Sequence, residues 1–411
     1  MRFKIIKQDK KSRARVGEIS VAHGKIDTPG FVAVGTQASV KALSPRELKE
    51  IGLQVFFANT YHLYLRPGVD VIEKLGGVHN FMSWNGPVMT DSGGFQIFSL
   101  GLGQHILRKK GDRVKITLNN TNKGVTGKKL AEISEEGVEF KSHIDGSKHI
   151  LTPEKSMEIQ SILGADILMA FDDCTPYPCD YEYAKSSMDR THRWAVRSLD
   201  AHKKEQKEKS KRKNRQKQNL YGVVQGSVYK ELRKKSAQFI ESLNTPGVAI
   251  GGVSVGESKK EMYKVLDWVV PNLSEEKPRH LLGVGEIDDI FEAIEKGVDT
   301  LDCVIPTRWG RNGTVLVHPQ TAKNENSVNR YRFIITNAKY IKDSLPVDPL
   351  CRCFVCQNFS RAYMNHLYRA NEILGIRLGT YHNLYFMVNL MKQIRKSIKN
   401  DQFQNLKKEW M

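Results

Sequence analysis

The sequence predicts an α/β protein built as a (β/α) barrel, and three observations lead to this fold class. Short apolar runs recur along the chain, and each ends in a polar or glycine-rich corner that a helical segment follows. Short, fully apolar runs are typical of buried parallel strands, and the intervening segments are long enough for crossover helices. The alternative, a doubly wound sheet, favours a Gly-x-Gly-x-x-Gly turn early in the chain, and none is found there.

The elements follow one another in a regular order. Strand-like pieces come first, and Ser44-Pro45-Arg46-Glu47 then predicts a helix N-terminus with a serine cap, a proline in the first turn and a glutamate three residues on. The predicted strands lie at 14–17, 31–35, 55–58, 88–90, 167–171, 220–224, 248–250, 281–282 and 300–301. Polar residues follow these strands directly, which in a barrel places them at the C-terminal face, where active sites lie.

The chain is strongly basic, with 411 residues and a formal net charge of +19. Such an excess favours a polyanionic partner, with nucleic acid as the first candidate, although a basic surface also serves solubility. Two segments, 104–130 and 202–219, look inserted. From Lys203 to Lys217 the second has seven lysines and two arginines against two glutamates. We expect a mobile loop or a solvated helix extension there, acting as a phosphate-binding arm or only as a spacer.

The sequence gives no sign of a membrane or secretory segment. No run is long and apolar enough to span a bilayer, and the first residues are charged rather than an apolar signal core. Three of the six cysteines are packed into 351–356, too close to be good disulfide partners for one another. Clustered thiols of this kind predict a metal site in a cytoplasmic protein.

The cysteine cluster supplies three soft ligands, and a closed tetrahedral zinc site needs a fourth. The cysteines are Cys351, Cys353 and Cys356. His366 and His382 are the candidates for the fourth ligand. His366 falls in a predicted helix close behind the cysteines, whereas His382 follows a glycine-containing return loop just ahead of an amphipathic helix. We favour His382, because a histidine at a helix start after such a loop can fold back onto the cysteines.

The stretch 298–313 carries the first catalytic candidate. A short apolar run delivers Asp302, the chain breaks at Pro306, and a predicted loop with Arg308 and Arg311 follows. Arginine suits phosphates and guanine edges because its planar fork donates two parallel hydrogen bonds. The alternative is a structural aspartate in an Asx-turn beside solvated arginines.

Further carboxylates are predicted at the same face of the barrel. Asp91 and Asp172 each follow a strand, as Asp302 does. Paired carboxylates with an oxocarbenium-like transition state are suited to glycosyl transfer. Phe95 offers an aromatic plane for a base, and Gln225 can hydrogen-bond a planar heterocycle. Each residue alone is explained as a turn residue, but their co-location at strand ends favours a site.

On these motifs the chain resembles the tRNA-guanine transglycosylases, the queuosine-pathway enzymes of bacterial type. The resemblance covers nearly the whole chain apart from the two basic insertions. The matching stretches are Thr90-Asp-Ser-Gly-Gly-Phe-Gln96, Phe171-Asp-Asp-Cys-Thr-Pro-Tyr-Pro178, Val224-Gln-Gly-Ser227, Gly251-Gly252 with Val255-Gly-Glu257, Leu301-Asp-Cys-Val-Ile-Pro-Thr-Arg308, Gly310-Arg-Asn-Gly313 and the cysteine cluster with His382.

The resemblance implies an irregular (β/α)8 TIM-type barrel over residues 1–345 and a zinc-binding helical subdomain over 346–411 packed on it. It implies exchange of the wobble guanine of tRNAs with GUN anticodons for a 7-deazaguanine base. By resemblance, Asp302 is the nucleophile that forms a covalent tRNA–enzyme intermediate, and Asp91 is the general acid/base. A cytoplasmic homodimer with one structural zinc ion per subunit is expected.

Three sets of residues are carried over by the same resemblance. The substrate-binding set is Asp91, Ser92, Gly93, Gly94, Phe95, Asp172, Gln225 and Gly252. The RNA-binding set is Gly283, Val284, Gly285, Glu286, Ile287, Asp288, Asp289, Thr307, Arg308, Trp309, Gly310 and Arg311. The zinc ligands are Cys351, Cys353, Cys356 and His382.

Two positions depart from the family pattern: Glu286 stands where a lysine is usual, and Trp309 where a small residue is usual. The incoming base is the pre-queuosine aminomethyl base or queuine, and the sequence leaves this choice open. A non-catalytic tRNA-binding subunit on the same fold would be expected to lose Asp91 or Asp302. A zinc hydrolase is disfavoured because four protein ligands leave no position for water.

Overall fold

The computed structural model of the protein describes residues 1–102, 131–210 and 216–411. The insertion predicted at 104–130 lies outside the described residues. The strands are β1 (Arg2–Gln8), β2 (Arg15–Val21), β3 (Gly24–Thr28), β4 (Gly30–Gly35), β5 (Phe56–Ala58), β6 (Val88–Thr90), β7 (Ala131–Ile133), β8 (Val138–Lys141), β9 (Lys148–Leu151), β10 (Ile167–Met169), β11 (Asn219–Val224), β12 (Gly247–Ile250), β13 (Arg279–Leu281), β14 (Thr300–Cys303), β15 (Thr314–Leu316) and β16 (Arg332–Ile334).

Helices follow most of the barrel strands. They are α1 (Pro45–Ile51), α2 (Thr60–Leu65), α3 (Val69–Lys74), α4 (Val78–Met82), α5 (Gly94–Leu102), α6 (Pro153–Leu163), α7 (Tyr181–Ser210), α8 (Lys230–Ser242), α9 (Lys259–Val269), α10 (Ile287–Glu295), α11 (Ile305–Arg311), α12 (Pro319–Asn324), α13 (Phe354–Asn358), α14 (Arg361–Arg369), α15 (Ile373–Lys399) and α16 (Phe403–Trp410), with 3-10 turns at Val270–Asn272 and Ala338–Tyr340. The capping box predicted at Ser44 and Glu47 is present at the start of α1.

Eight parallel strands close into the predicted barrel. Their order around it is β4, β5, β6, β10, β11, β12, β13 and β14, and β14 pairs back with β4 through Thr300 and Gly30. The strands are almost entirely buried, as β11 shows over its whole length. Side chains on both faces of each strand are therefore covered, which explains why the sequence shows apolar runs rather than alternation. The barrel prediction is confirmed.

The antiparallel sheet of β1, β2 and β3 lies against the N-terminal ends of the barrel strands. Arg15 on β2 forms a buried ion pair with Asp299, which directly precedes β14, with 2.7 Å between Nη2 and Oδ2. The backbone N–H of His23, in the turn between β2 and β3, donates to Asp166, which directly precedes β10. The sheet thus closes the end of the barrel opposite the ends that carry Asp91 and Asp302.

The described part of the second basic segment continues α7, which runs to Ser210. The sequence had predicted a mobile loop or a solvated helix extension, and the described part up to Ser210 is a helix. This helix is not fully solvated, because His202 and Lys209 are buried. Lys209 Nζ donates to the carbonyl of Ser161 at 2.6 Å and to Gln218 Oε1 at 2.5 Å. These contacts lie just before the starts of β10 and β11, so α7 ends at the closed end of the barrel. Residues 211–215 lie outside the described part of the chain.

The predicted loop after Pro306 is wrong, because residues 305–311 form α11. Pro306 occupies the first turn, where its missing N–H costs no hydrogen bond. The helix packs against α15, with Gly310 at the crossing: a Cβ there would lie 2.7 Å from the backbone of Thr380. Tertiary packing therefore supports a helix whose own sequence resembles a glycine-rich loop.

The return loop predicted before His382 is also wrong. The helix begins at Ile373, nine residues earlier, and Gly379 lies inside it. A Cβ on Gly379 would overlap the hydroxyl of Tyr368 and approach the carbonyl of Gly310. The glycine costs about 1 kcal/mol of helix propensity, and close packing offsets this cost.

The long helix α15 joins the C-terminal region to the barrel. It contacts α1, β4 and α11 as well as α13, α14 and α16. The boundary between residues 345 and 346 stays a prediction. No helix in the described parts of the chain is both long and apolar enough to cross a membrane.

Candidate active site

Asp91 follows β6 directly, and its carboxylate lies at the N-terminus of α2. The backbone N–H of Thr60 donates to Oδ1 at 2.8 Å, and the side-chain amide of Asn59 donates to Oδ2. Burial raises the pKa of the Asp91 carboxyl to about 7, the hydrogen bond from Thr60 opposes the shift, and the nearby charge of Asp302 adds to it. Asp91 is therefore poised to hold or release a proton near neutral pH.

Asp302 lies near the end of β14, and two donors converge on one of its oxygens. The backbone N–H of Gly283 donates to Oδ1 at 3.0 Å, and His280 Nε2 lies 3.2 Å from the same atom. Gly283 has a φ of +76°, a conformation that favours glycine. Asp91 and Asp302 both lie at the C-terminal ends of parallel barrel strands, β6 and β14, so the two carboxylates share one mouth of the barrel.

Asp172 joins this face through two side chains that the sequence also singled out. Ser92 Oγ donates to its Oδ1 at 3.1 Å, and Gln225 Nε2 donates to its Oδ2 at 2.7 Å. Burial raises the pKa of the Asp172 carboxyl to about 6, against the opposing effect of these hydrogen bonds. Gln225 Oε1 is buried and has no hydrogen-bond partner among the described residues, so it is an acceptor in need of a donor.

Arg233 is a site residue that the sequence analysis missed. It is fully buried and donates to the carbonyls of Ser227 at 2.6 Å, Gly251 at 2.7 Å and Gly252 at 2.7 Å. Gly252 has a φ of +61°, and a Cβ there would overlap Gln225 Oε1. Arg233 thus ties the loops after β11 and β12 together. A single arginine within a helical pattern carried no signal that could have revealed this contact.

The remaining substrate-binding candidates lie in the turn from β6 into α5. Gly93 has a φ of +83°, and a Cβ on Gly94 would lie 3.0 Å from the carbonyl of Asp172. Phe95 is 48% exposed, so its ring is accessible at the start of α5. All eight residues of the predicted substrate-binding set therefore lie in or beside the loops that follow the barrel strands.

The first predicted RNA-binding segment, 283–289, runs from the loop after β13 into the first turn of α10. Its three acidic residues surround the ammonium group of Lys259, which lies 2.7 Å from Glu286, 2.6 Å from Asp288 and 3.1 Å from Asp289. Gly285 packs against the strand that carries Asp302, because a Cβ there would overlap Cys303. Lys259 therefore offsets part of the negative charge that this segment carries.

The second predicted segment, 307–311, coincides with most of α11. Arg308 is exposed, whereas Thr307 is buried and donates its hydroxyl to the carbonyl of Val304 at 3.2 Å. Arg311 Nη1 is buried without a partner among the described residues. The guanidinium of Arg332 lies 3.9 Å from the ring centroid of Trp309, a contact that pattern analysis could not anticipate.

The cysteine cluster and His382 come together as predicted. His382 Nδ1 lies 3.4 Å from Cys353 Sγ, 3.3 Å from Cys356 Sγ and 4.0 Å from Cys351 Sγ. His382 Nε2 faces the carbonyl of Leu316 at 2.7 Å. Because Nε2 donates to this carbonyl, Nδ1 is left as the ligating atom.

These four residues could hold a metal ion, since all their ligand atoms lie within 4.8 Å of one another. Three sulfur donors and one imidazole nitrogen suit a tetrahedral site for a soft or borderline metal ion. The rejected candidate, His366, is exposed on α14 and does not belong to the group.

Fold and site together define a class: a TIM-barrel enzyme with paired acidic residues at the barrel mouth and a Cys3His group outside it. A family model described as queuine tRNA-ribosyltransferase matches residues 9–411. The chain belongs to this family. It is accordingly a transferase that acts in tRNA processing, a tRNA-guanine transglycosylase of the queuosine pathway, and the prediction of an enzyme is confirmed.

Curated relatives support the assignment over the full length of the chain. The queuine tRNA-ribosyltransferase of Acetivibrio thermocellus is 48% identical over 410 residues, which cover 100% of this chain and 97% of the relative. The protein of the same name from a Thermoanaerobacter species is also 48% identical, with 100% and 96% covered. That of Halothermothrix orenii is 46% identical over 409 residues, with 100% and 96% covered.

Proposed function

We propose that the enzyme exchanges the wobble guanine of tRNAs with GUN anticodons for the pre-queuosine aminomethyl base, a 7-deazaguanine, through a covalent tRNA–enzyme intermediate. One observation carries this proposal: Asp91, whose pKa is raised to about 7 chiefly by burial, follows a barrel strand at the same mouth of the barrel as Asp302. Two carboxyl groups in unlike surroundings can divide the roles of acid/base and nucleophile.

In the first displacement, an oxygen of Asp302 bonds to C1′ of the target nucleotide while the C1′–N9 bond to guanine breaks. Protonated Asp91 gives its proton to the leaving base, because guanine is a poor leaving group as an anion. The product is a ribosyl ester of Asp302. The target base must first leave the anticodon stack to reach the site.

In the second displacement, the incoming base reacts at C1′ and releases Asp302. Its nitrogen forms the new bond to C1′, and its proton passes to the Asp91 carboxylate, which restores the starting state. Two inversions retain the configuration of the sugar. The two displacements together require only the tRNA, the incoming base and the side chains of Asp91 and Asp302.

The base pocket would be formed by Asp172, Gln225 and Gly252, with Phe95 stacking on the heterocycle. Its support is the buried, unpartnered Oε1 of Gln225 and the partly buried carboxylate of Asp172, which accept from donor groups on a base. A polar pocket of this kind discriminates strongly, because a ligand lacking the matching donor leaves buried groups unpaired.

Segments 283–289 and 307–311 would contact the anticodon loop. The unpartnered guanidinium nitrogen of Arg311 and the exposed Arg308 suit phosphate or base-edge contacts. At position 286 the usual lysine is missing, and Lys259 offsets only part of the negative charge of Glu286, Asp288 and Asp289, which lessens the repulsion of a tRNA phosphate at this segment.

We infer that the metal is Zn2+, one structural ion per subunit. Bound zinc would hold Cys351, Cys353, Cys356 and His382 together as a closed tetrahedral site and supply no chemistry to the exchange. His382 lies on α15, which also packs against α11. The ion would in this way stabilise the helix that supports the proposed RNA-binding residues.

Queuine is the second candidate for the incoming base, because the names of the relatives specify it. Incubation of the enzyme and guanine-containing tRNA with each base separates the candidates: incorporation of queuine in preference to the aminomethyl base would correct our choice. A non-catalytic tRNA-binding role is disfavoured by the presence of both Asp91 and Asp302.

We further propose a cytoplasmic homodimer. Its support is the number of exposed large apolar side chains in the C-terminal region, including Val328, Leu350 and Ile373, the last 80% exposed. Exposed apolar surface of this kind is typical of interaction sites. Sedimentation equilibrium should give twice the chain mass of 46.7 kDa, and a monomer at micromolar concentration would contradict the proposal.

The substitution Asp302→Asn tests the mechanism, because it keeps the shape of the side chain and removes the nucleophile. We expect it to abolish base exchange and the tRNA-linked band on a denaturing gel, while non-covalent tRNA binding persists. A tRNA-linked band that remains in this variant would show that another residue is the nucleophile.

A further inference from the structure

We propose that His280 is a positioning residue that holds the Asp302 carboxylate in the orientation required for attack. The inference rests on the proposed function, since it concerns the nucleophile of that reaction. His280 lies at the centre of β13 and has no exposed surface. Neither its sequence context nor the resemblance to the family singled it out.

The imidazole ring bridges two residues of the neighbouring strand. His280 Nε2 lies 3.2 Å from Asp302 Oδ1, and His280 Nδ1 lies 2.9 Å from Thr300 Oγ1. Thr300 and Asp302 are two apart on β14, so both side chains point to the same face of the strand. His280 and Thr300 are register partners on the neighbouring strands β13 and β14, and this register fixes the position of the imidazole ring along the strands.

The hydrogen-bond partners of His280 indicate which ring nitrogen carries a proton. An ionised carboxylate only accepts hydrogen bonds, so Nε2 must carry a proton. Thr300 can donate to an unprotonated Nδ1 or accept from a protonated one, because its hydroxyl does both. In either charge state of the ring, His280 therefore donates to Asp302 while Thr300 holds the opposite edge.

The hydrogen bond from His280 involves only Oδ1 of Asp302 and leaves Oδ2 free to react. Oδ1 accepts from both His280 and the backbone of Gly283. Among the described residues, no group donates to Oδ2. Two donors on one oxygen hold the carboxylate plane and leave a lone pair on Oδ2 for the sugar carbon, and such orientation lowers the entropic part of the barrier.

A purely structural role for His280 is the competing explanation, because the ring also packs 5.5 Å from that of Phe57. The two roles are separable with a matched pair of amides. Glutamine places its amide nitrogen near the position of Nε2, and asparagine places its own near Nδ1. His280→Gln therefore keeps the donor to Asp302, while His280→Asn keeps only the partner of Thr300.

The test measures single-turnover formation of the tRNA adduct, the KM of each substrate and the thermal midpoint for both variants. We expect His280→Asn to slow adduct formation by about tenfold to a hundredfold, the loss typical of a displaced reacting group. KM should change little, and His280→Gln should recover most of the rate. His202→Gln, a buried histidine at the closed end of the barrel, is the control and should keep the wild-type rate.

Each other outcome overturns the inference. Equal losses in both variants that follow the thermal midpoint would mean that the ring only packs. Unchanged rates in both, or a greater loss in His280→Gln, would exclude the donor to Asp302. Absence of any adduct in the wild-type enzyme would instead overturn the proposed function, and the inference with it.

Discussion

Asp91 and Asp302 carry the same functional group, and their surroundings assign them different tasks. Asp91 is held between Asn59 and Thr60 at the start of α2, where burial raises its carboxyl pKa to about 7. The Asp302 carboxylate is instead held through Oδ1, which lies within hydrogen-bond distance of His280 Nε2 and accepts from the backbone N–H of Gly283. The difference lies in the neighbours rather than in the residue type.

The raised pKa of Asp91 gives the two half-reactions opposite pH dependences. Guanine release needs protonated Asp91, so its single-turnover rate should fall as pH rises through about 7. Attack by the incoming base needs the carboxylate, so its rate with the isolated adduct should rise over the same range. The release of labelled guanine, measured from about pH 6 to 9, checks the pH dependence of the first half-reaction. A release rate that did not change with pH would exclude Asp91 as the acid.

Asp172 should act on the base rather than on the tRNA. Asp172→Asn keeps the volume of the side chain but replaces one acceptor oxygen with a donor, which conflicts with the Gln225 amide and with donors on the base. We expect the KM of the incoming base to rise by about 5- to 150-fold, corresponding to about 1–3 kcal/mol, with little change in tRNA affinity. Filter binding measures the second quantity, and equal losses in both would indicate a structural role.

At the level of helices and strands, the sequence was informative where burial alone determines the element. The eight barrel strands were predicted because short, fully apolar runs such as 220–224 are typical of parallel strands that are buried on both faces. The helical state of α11 was missed because Pro306 was interpreted as a break, although proline is compatible with a first helical turn. The start of α15 was missed because Gly379 indicates a break locally, which tertiary packing overrides. The choice of His382 was right although the element that carries it was not.

The site divides in the same way. Residues grouped in motifs, such as Ser92 to Phe95, could be proposed as site residues, because several unusual residues in a row are a strong signal. His280, Arg233 and Arg332 were not proposed, since each is isolated in the chain and its contacts arise only from strand pairing or helix packing. A single sequence does not record which strands lie side by side.

The crossing of α11 and α15 should be intolerant of any side chain at Gly379. A methyl group there would overlap the Tyr368 hydroxyl, so Gly379→Ala should lower the free energy of unfolding by about 1–3 kcal/mol, as overpacking does. Because α11 carries Arg308 and Arg311, tRNA affinity should fall as well.

The double variant Gly379→Ala/Tyr368→Phe is the matched control for this crossing, since it removes the overlapping hydroxyl. It should regain part of the stability in urea unfolding, although the hydrogen bond from Tyr368 to the Gly310 carbonyl is lost. No recovery would show that the backbone contact at Gly310, rather than the hydroxyl, limits the approach of the helices.

The catalytic residues and the end of the basic helix α7 lie at opposite ends of the barrel. The Asp91–Asp302 pair lies at the C-terminal ends of the strands, whereas α7 ends beside Ser161 and Gln218 at the closed end. The described part of the basic segment therefore ends at the opposite end of the barrel from the catalytic mouth. A role for it in reading the anticodon bases is disfavoured.

The Cys3His group should determine the stability of the whole C-terminal region. Three sulfur ligands and His382 close the site, so Cys353→Ser should reduce metal content and lower the thermal midpoint together, by analogy with zinc fingers, where the ion contributes about 10–16 kcal/mol. Because His382 lies on the same helix that packs against α11 and β4, the loss should spread to tRNA binding. Metal analysis during chelation, with circular dichroism in parallel, checks the order of events. If chelation removed the metal and the activity while the fold and tRNA binding stayed intact, the ion would belong to the chemistry and not to the structure.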